Sequence, residues 1–168
     1  TKKFIKIIKK NGGNLFSVDV NDCGNISKNK KWKFIHSRDD NFDKIKKIIP
    51  KKLDVIFFDS FHESTHVNKI IYYYYDFLSK GGLFFIDDIS WLPYTKNSWA
   101  PMKYAQINNH ETYQMILQIF HANYENFDLE VSFVDSGYVL LRKLNNKKLL
   151  PSKKIRLNTF TLKNNIIK

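Results

Sequence analysis

Cysteine, arginine and long apolar runs are all scarce in this 168-residue sequence. Cys23 is the only cysteine, which excludes an internal disulfide and any zinc site with several cysteine ligands, and the reducing cytoplasm is the simplest setting. No apolar run approaches the roughly 20 residues that a transmembrane helix needs, so we expect no membrane span. With 43% hydrophobic residues, the chain can bury the core of one soluble domain.

Arginine is rare even though the chain carries a formal net charge of +12. Only three of the 28 basic residues are arginine, the residue that most often makes bidentate contacts with phosphates and bases. Fifteen of the basic residues precede Leu53 and nine lie from Arg142 onward, so that only four occupy the centre of the sequence. We favour a solvated lysine surface over a contact with nucleic acid or another polyanion, which remains the alternative.

Acidic residues, in contrast, follow two short apolar runs in the middle of the chain. The run LDVIFF (53–58) is followed by Asp59, and the run GLFFI (82–86) is followed by Asp87 and Asp88. Such runs are typical of buried parallel strands, whose carboxyl ends line the ligand crevice of open α/β sheets. We therefore expect the three carboxylates to gather at one edge of a sheet, where they could bind a small cation.

The rest of the sequence continues this alternation of strand and helix signals. Segment 64–80, between the two runs, has the apolar spacing of an amphipathic helix, with Ser64 as a candidate N-cap and two glycines as the stop. Further signals predict, in order, a helix over 1–10, strands over 14–20 and 32–36, a helix capped by Asp39 or Asp40 that ends before Pro50, an aromatic loop over 90–108, a helix over 109–123, and a hairpin of strands 129–134 and 138–144. We predict an α/β domain over residues 1–144, with a doubly wound, mostly parallel sheet, and a basic C-terminal tail over 145–168.

Read in order, these elements resemble the class I S-adenosylmethionine-dependent methyltransferases, and among them the small O-methyltransferases of the catechol, caffeoyl-CoA and sugar-modifying kind. The segments that carry the resemblance are NLFSVDV, FFDSFHE, GGLFFIDDI and the hairpin DLEVSFVDSGYVLLRK. The resemblance implies a Rossmann-like sheet with strand order 3-2-1-4-5-7-6, a C-terminal antiparallel hairpin and S-adenosylmethionine as cofactor.

One part of the family pattern is missing from this sequence. In the family, a strand and a glycine-rich loop precede the first helix, whereas this sequence begins with that helix at Thr1. We therefore expect the sequence to be N-terminally truncated relative to the native gene product.

The resemblance also implies roles for single residues at the strand ends. Asp19 would hydrogen-bond the ribose of the cofactor, and Asp39 would lie near its adenine, although a surface turn and a helix cap explain these two acids as well. His62, three residues past Asp59, is the candidate general base, and a helix-entry histidine is the alternative. The predicted metal ligands, which would hold Mg²⁺, are Asp59, Asp87 and Asp88, and the alternative for Asp59 is a contact with the edge of the cofactor.

Aromatic residues in the loop after the acidic pair are candidates for acceptor binding. Trp91, Tyr94 and Trp99 could form walls for a planar or sugar acceptor, and packing of the loop on the sheet is the alternative. The sequence thus predicts methyl transfer to an oxygen of a small-molecule or sugar acceptor, assisted by a divalent metal. The alternative is a non-catalytic α/β domain that contacts a protein or a nucleic acid. The pattern is compatible with a homo-oligomer and does not define the oligomeric state.

Overall fold

The computed structural model describes residues 1–91 and 103–154, which form alternating helices and strands. None of the helices in these two ranges is both long enough and apolar enough to cross a membrane. The helices are α1 (Lys2–Asn11), α2 (Phe42–Ile45), α3 (Ser64–Tyr75) and α4 (Lys103–Asn123). The strands are β1 (Leu15–Asp19), β2 (Trp32–His36), β3 (Leu53–Phe58), β4 (Leu78–Asp87), β5 (Phe127–Ser132) and β6 (Tyr138–Lys143).

The strands form two sheets rather than the single sheet that we predicted. Strands β1 and β2 pair in parallel, and a separate four-stranded sheet has the order β3-β4-β6-β5. Strands β3 and β4 are parallel, as predicted, and β6 pairs antiparallel with both β4 and β5. These orders correspond to 3-2 and 4-5-7-6 in the family pattern. Strand β1 does not pair with β3, and the strand that the pattern places between them has no counterpart among the described residues.

The core lies between the four-stranded sheet and the helices α3 and α4. Alternate residues of the central strands point into it, as the period of two in a strand requires. Residues of β1, β2 and α2 pack against the same core, so one apolar interior joins both sheets. In the four-stranded sheet, the residues that are less than 2% exposed are Leu78, Phe84, Ile86, Phe127, Val139 and Leu141.

Helix α3 ends five residues earlier than its apolar periodicity predicts. The helix stops at Tyr75, and Leu78 already pairs with Leu53 of β3. The next pair is Val55 with Leu83, so β4 contains an excursion of four residues. Glycine is needed here because Gly81 has φ +81°, and a Cβ on the next residue would lie 2.8 Å from a backbone oxygen. The two glycines therefore shape a bulge in β4, which corrects their assignment as a helix stop.

Four consecutive tyrosines at the end of α3, Tyr72 to Tyr75, each bond a different residue outside the helix. Each hydroxyl donates a hydrogen bond of 2.7–3.0 Å to a backbone carbonyl of a distant segment. The acceptors are the carbonyls of Leu150, Phe42, Asp39 and Asn126, in the order of the tyrosines. Because a tyrosine buries a large ring while keeping a polar tip, this set explains how α3 organises the interior without leaving its hydroxyls unpaired.

Two segments that were predicted from local signals differ in detail. Helix α2 covers only Phe42–Ile45, and its N-cap is Asn41, whose side chain accepts from the amide of Lys44, so neither Asp39 nor Asp40 caps it. The first part of the predicted basic tail docks on α4, because the side chain of Asn123 bonds both the amide and the carbonyl of Leu150. The remainder of the tail lies outside the described residues.

Candidate active site

The carboxyl ends of β3 and β4 bring two of the predicted acidic residues together. Asp59 directly follows β3 and Asp88 directly follows β4. The two strands are parallel neighbours, and Phe58, the last residue of β3, pairs with Ile86 near the end of β4. Asp88 has φ +55°, a left-handed conformation that is uncommon for residues other than glycine. The chain therefore leaves the strand conformation at Asp88, directly after the last residue of β4.

His62 completes a cluster with these two carboxylates. One ligand atom from each of Asp59, His62 and Asp88 lies within 4.8 Å of the other two. Nε2 of His62 is 3.8 Å from Oδ1 of Asp59 and 3.6 Å from Oδ2 of Asp88. Both distances exceed a hydrogen bond, so the ring bonds neither carboxylate directly, and an ion or a ligand oxygen can lie between the three groups.

The position of His62 is set by its backbone and by the ring of Phe58. The His62 carbonyl accepts from Nδ2 of Asn108 and from Oγ1 of Thr112, both at 2.8 Å, and Thr112 is fully buried. The Phe58 ring meets the imidazole edge-on at 5.7 Å. Nδ1 of His62 is buried and has no partner among the described residues. Sequence reasoning missed Asn108 and Thr112, whose only signal is a pair of polar residues four apart on a helix.

Asp87 lies beside this cluster and is not part of it. Its Oδ1 accepts from the amide of Asp88 at 3.0 Å and is 3.5 Å from Oγ of Ser136. Burial raises the pKa of the Asp87 carboxyl, and the nearby charges of Asp88 and Asp59 raise it further. Of the three predicted aspartates, Asp59 and Asp88 thus lie beside His62, and Asp87 lies outside the cluster. The role of the three as metal ligands stays a prediction.

The candidate cofactor residues lie at the carboxyl ends of the other sheet. Asp19 ends β1, where its Oδ1 accepts from the amide of Asn21 at 2.8 Å. Its second carboxylate oxygen has no such bond among the described residues. Asp19 can therefore stabilise the turn at Asn21 with one oxygen and contact a ligand with the other. Asp39 lies in the loop after β2, and both of its carboxylate oxygens are 3.1 Å from Nε2 of His66. Sequence reasoning missed His66, which lies 27 residues further along the chain.

Only one of the three aromatic residues predicted to line the acceptor site can be placed. Trp91 is half-buried, and its ring packs against Tyr113 at 4.6 Å and Phe133 at 4.8 Å. Tyr94 and Trp99 lie outside the described residues. The packing alternative for Trp91 and the acceptor wall are both compatible with this geometry, because part of the residue remains accessible.

Comparison with known proteins identifies the fold. Protein-family models and curated protein sequences give no match. Among solved structures, the MycE methyltransferase of the mycinamycin biosynthetic pathway, in complex with Mg, SAH and mycinamycin VI, matches 81% of this chain with a TM-score of 0.57 and 17% identity. This chain has the class I S-adenosylmethionine-dependent methyltransferase fold.

Two further methyltransferase structures align in the same way. SAH-bound PaMTH1 from Podospora anserina matches 81% of the chain with a TM-score of 0.62 and 12% identity. A Staphylococcus aureus protein assigned as a caffeoyl-CoA O-methyltransferase matches 77% with a TM-score of 0.57 and 11% identity. The aligned part spans 38% of the length of MycE, 63% of PaMTH1 and 64% of the S. aureus protein. The methyltransferase fold confirms the predicted Rossmann-like α/β class, and these low identities support the fold alone.

Proposed function

We propose that the protein transfers a methyl group from S-adenosylmethionine to an oxygen of a small-molecule or sugar acceptor, assisted by a divalent metal ion. The observation that carries this proposal is the convergence of Asp59, His62 and Asp88 at the carboxyl edge of a class I methyltransferase fold. Ligand crevices of open α/β sheets lie at this edge. The MycE structure contains Mg and SAH, and the PaMTH1 structure contains SAH, which supports the same chemistry here.

The donor set of the cluster suits a hard divalent cation such as Mg²⁺. Asp59 and Asp88 offer carboxylate oxygens, which Mg²⁺ prefers, and these atoms are close enough for one ion to contact both after a small adjustment. Asp59 and Asp88 would hold the ion, and Asp87 would add negative charge from behind. When bound, the ion would supply Lewis acidity that lowers the pKa of an acceptor hydroxyl.

His62 would serve as the general base for this hydroxyl. Its Nε2 faces the space between the two carboxylates, and the imidazole is the side chain whose ordinary pKa is closest to neutrality. Nε2 of His62 would accept the proton of the acceptor hydroxyl while the acceptor oxygen bonds the methyl carbon. S-adenosylmethionine would supply that methyl group, and the electron pair of the broken methyl–sulfur bond would stay on the sulfur of S-adenosylhomocysteine.

The cofactor and the acceptor would be positioned by the remaining strand ends. Asp19 has a carboxylate oxygen available for a ribose hydroxyl, and Asp39 lies in the loop that follows the neighbouring strand β2. Trp91 follows Asp88 by three residues, so the accessible part of its side chain would form part of the acceptor wall. Holding two reactants in line in this way is itself a large contribution to catalysis.

The proposal is tested with the product of the gene that contains this sequence. Calorimetry should detect binding of S-adenosylhomocysteine, and methyl transfer should be lost on chelation and restored by Mg²⁺. Asp59→Asn and Asp88→Asn should each reproduce the chelated state, because an amide keeps the shape of the side chain and loses the charge that attracts the cation. Asp54→Asn is the matched control and should keep its activity, since Asp54 is an exposed carboxylate in β3, the strand that Asp59 follows. Full activity in excess chelator would refute the metal, and absence of cofactor binding would favour the non-catalytic binding domain.

A further inference from the structure

Helix α3 reaches from the loop that carries His62 to the loop that follows β2, and His66 makes a buried contact there. Because a carboxylate only accepts hydrogen bonds, Nε2 of His66 carries a proton that it shares between the two oxygens of Asp39, each 3.1 Å away. Asp40 is farther from the ring, 3.9 Å from Nδ1, and Arg38 binds its carboxylate with two hydrogen bonds. The His66 contact is therefore directed at one carboxylate.

The contact is shielded from water. His66 is 6% exposed, and the side chain of Asp39 is 18% exposed. Hydrogen bonds to a charged group are stronger than neutral ones, and a low local dielectric strengthens them further. The Asp39 carboxylate is consequently held in one direction, although it belongs to a loop rather than to a strand or helix.

Two tyrosines of the same helix bond the backbone of this loop and of the first residue of α2, which follows it. The hydroxyl of Tyr74 donates to the carbonyl of Asp39 at 2.8 Å, and the hydroxyl of Tyr73 donates to the carbonyl of Phe42 at 3.0 Å. Among these three contacts, only that of His66 reaches a side chain with a predicted ligand role. The tyrosines thus fix the path of the loop, and His66 fixes the direction of its acid.

We propose that His66 is a positioning residue for the cofactor, which it serves by orienting the Asp39 carboxylate. This inference rests on the proposed function. Each carboxylate oxygen has two lone pairs, so both oxygens keep one for a ligand donor, such as an adenine amino group, while they share the His66 proton. His66 itself does not touch the reacting atoms, and its loss should weaken cofactor binding without changing the rate at saturation.

Three quantities are measured on the full gene product and its variants. They are the affinity for S-adenosylhomocysteine by calorimetry, KM and kcat for S-adenosylmethionine, and the melting temperature. His66→Leu should weaken binding roughly ten-fold or more, because a charge-assisted bond is lost, and should leave kcat at saturating cofactor unchanged. His66→Gln should restore much of the affinity, because its amide nitrogen can reach the position of Nε2. Tyr73→Phe is the matched control: it removes a bond from the same helix to Phe42 of α2, three residues after Asp39, and should lower the melting temperature alone.

Asp39→Asn provides a second route if His66→Leu does not fold. This variant should weaken binding to a similar extent, and adding His66→Gln to it should cause little further loss, because His66 acts through Asp39. Wild-type protein that fails to bind the cofactor would overturn the proposed function and this inference with it. Wild-type protein that binds, together with His66→Leu or Asp39→Asn that bind equally well, would overturn the inference alone. A fall in kcat equal to the fall in affinity, with no rescue by Gln, would also overturn it.

Discussion

Thr112 lies far from the acidic residues in sequence, yet it should influence catalysis through the backbone of His62. Its hydroxyl donates to the His62 carbonyl at 2.8 Å, and the residue is fully buried on α4. Thr112→Val replaces the hydroxyl by a methyl group of similar size, so the change removes one hydrogen bond and creates little cavity. Asn108 still donates to the same carbonyl, so the acceptor is not left unpaired.

The expected cost in stability follows from these contacts. Loss of one buried hydrogen bond costs about 0.5–1.5 kcal/mol when the partner remains satisfied. For a domain of this size, 1 kcal/mol corresponds to a shift of roughly 2–4 °C in the melting temperature. Because His62 also loses one of its two anchors, kcat should fall by roughly three- to ten-fold, within the range that small displacements of a catalytic group produce.

The assay combines urea unfolding with methyl transfer at saturating substrates. Thr112→Ser keeps the hydroxyl and should retain most of the activity. Tyr75→Phe removes a bond of the same kind, from a fully buried hydroxyl to the carbonyl of Asn126, away from the acidic cluster, and should cost similar stability without a loss of kcat. Equal kcat for Thr112→Val and the wild type, at a confirmed loss of stability, would refute the argument that α4 positions His62.

Further predictions concern pH, packing and the bend at the hairpin. Burial raises the pKa of Tyr75 to about 12, above the value of about 10 in an unfolded chain. The stability that the protonated hydroxyl contributes is therefore fully present below pH 10 and should be lost as the pH rises from 10 to 12. Between these pH values, the free energy of unfolding should fall less with pH in Tyr75→Phe than in the wild type. Phe84→Ala, in the fully buried centre of β4, should cost about 3–5 kcal/mol in the same assay. Gly137→Ala should be destabilising, since Gly137 has φ +73° and a Cβ would lie 2.8 Å from the carbonyl of Ser132, whereas a melting temperature equal to that of the wild type would show that the hairpin can shift.

Short apolar runs allowed the strands to be predicted well. The bounds of β2 and β3 match their sequence signals because the apolar residues that define them are also the residues that pair. The end of α3 could not be found in this way, since apolar spacing continues beyond Tyr75 and only the pairing of Leu78 with Leu53 shows that a strand has begun. That pairing joins residues far apart in the chain, and local periodicity carries no information about it.

The sequence by itself determined that the acids at the ends of β3 and β4 would gather at one edge of a sheet, because the carboxyl ends of neighbouring parallel strands lie at the same edge. It did not distinguish Asp88, which lies close to Asp59, from Asp87, which is outside the cluster. The tertiary structure alone decided which partners surround them. Asp87, the last residue of β4, accepts from the amide of Asp88 and stays outside the cluster, and bonds from α4 hold His62 beside Asp59 and Asp88. Contacts of this kind depend on side-chain direction and on packing between distant segments, which strand and helix signals do not encode.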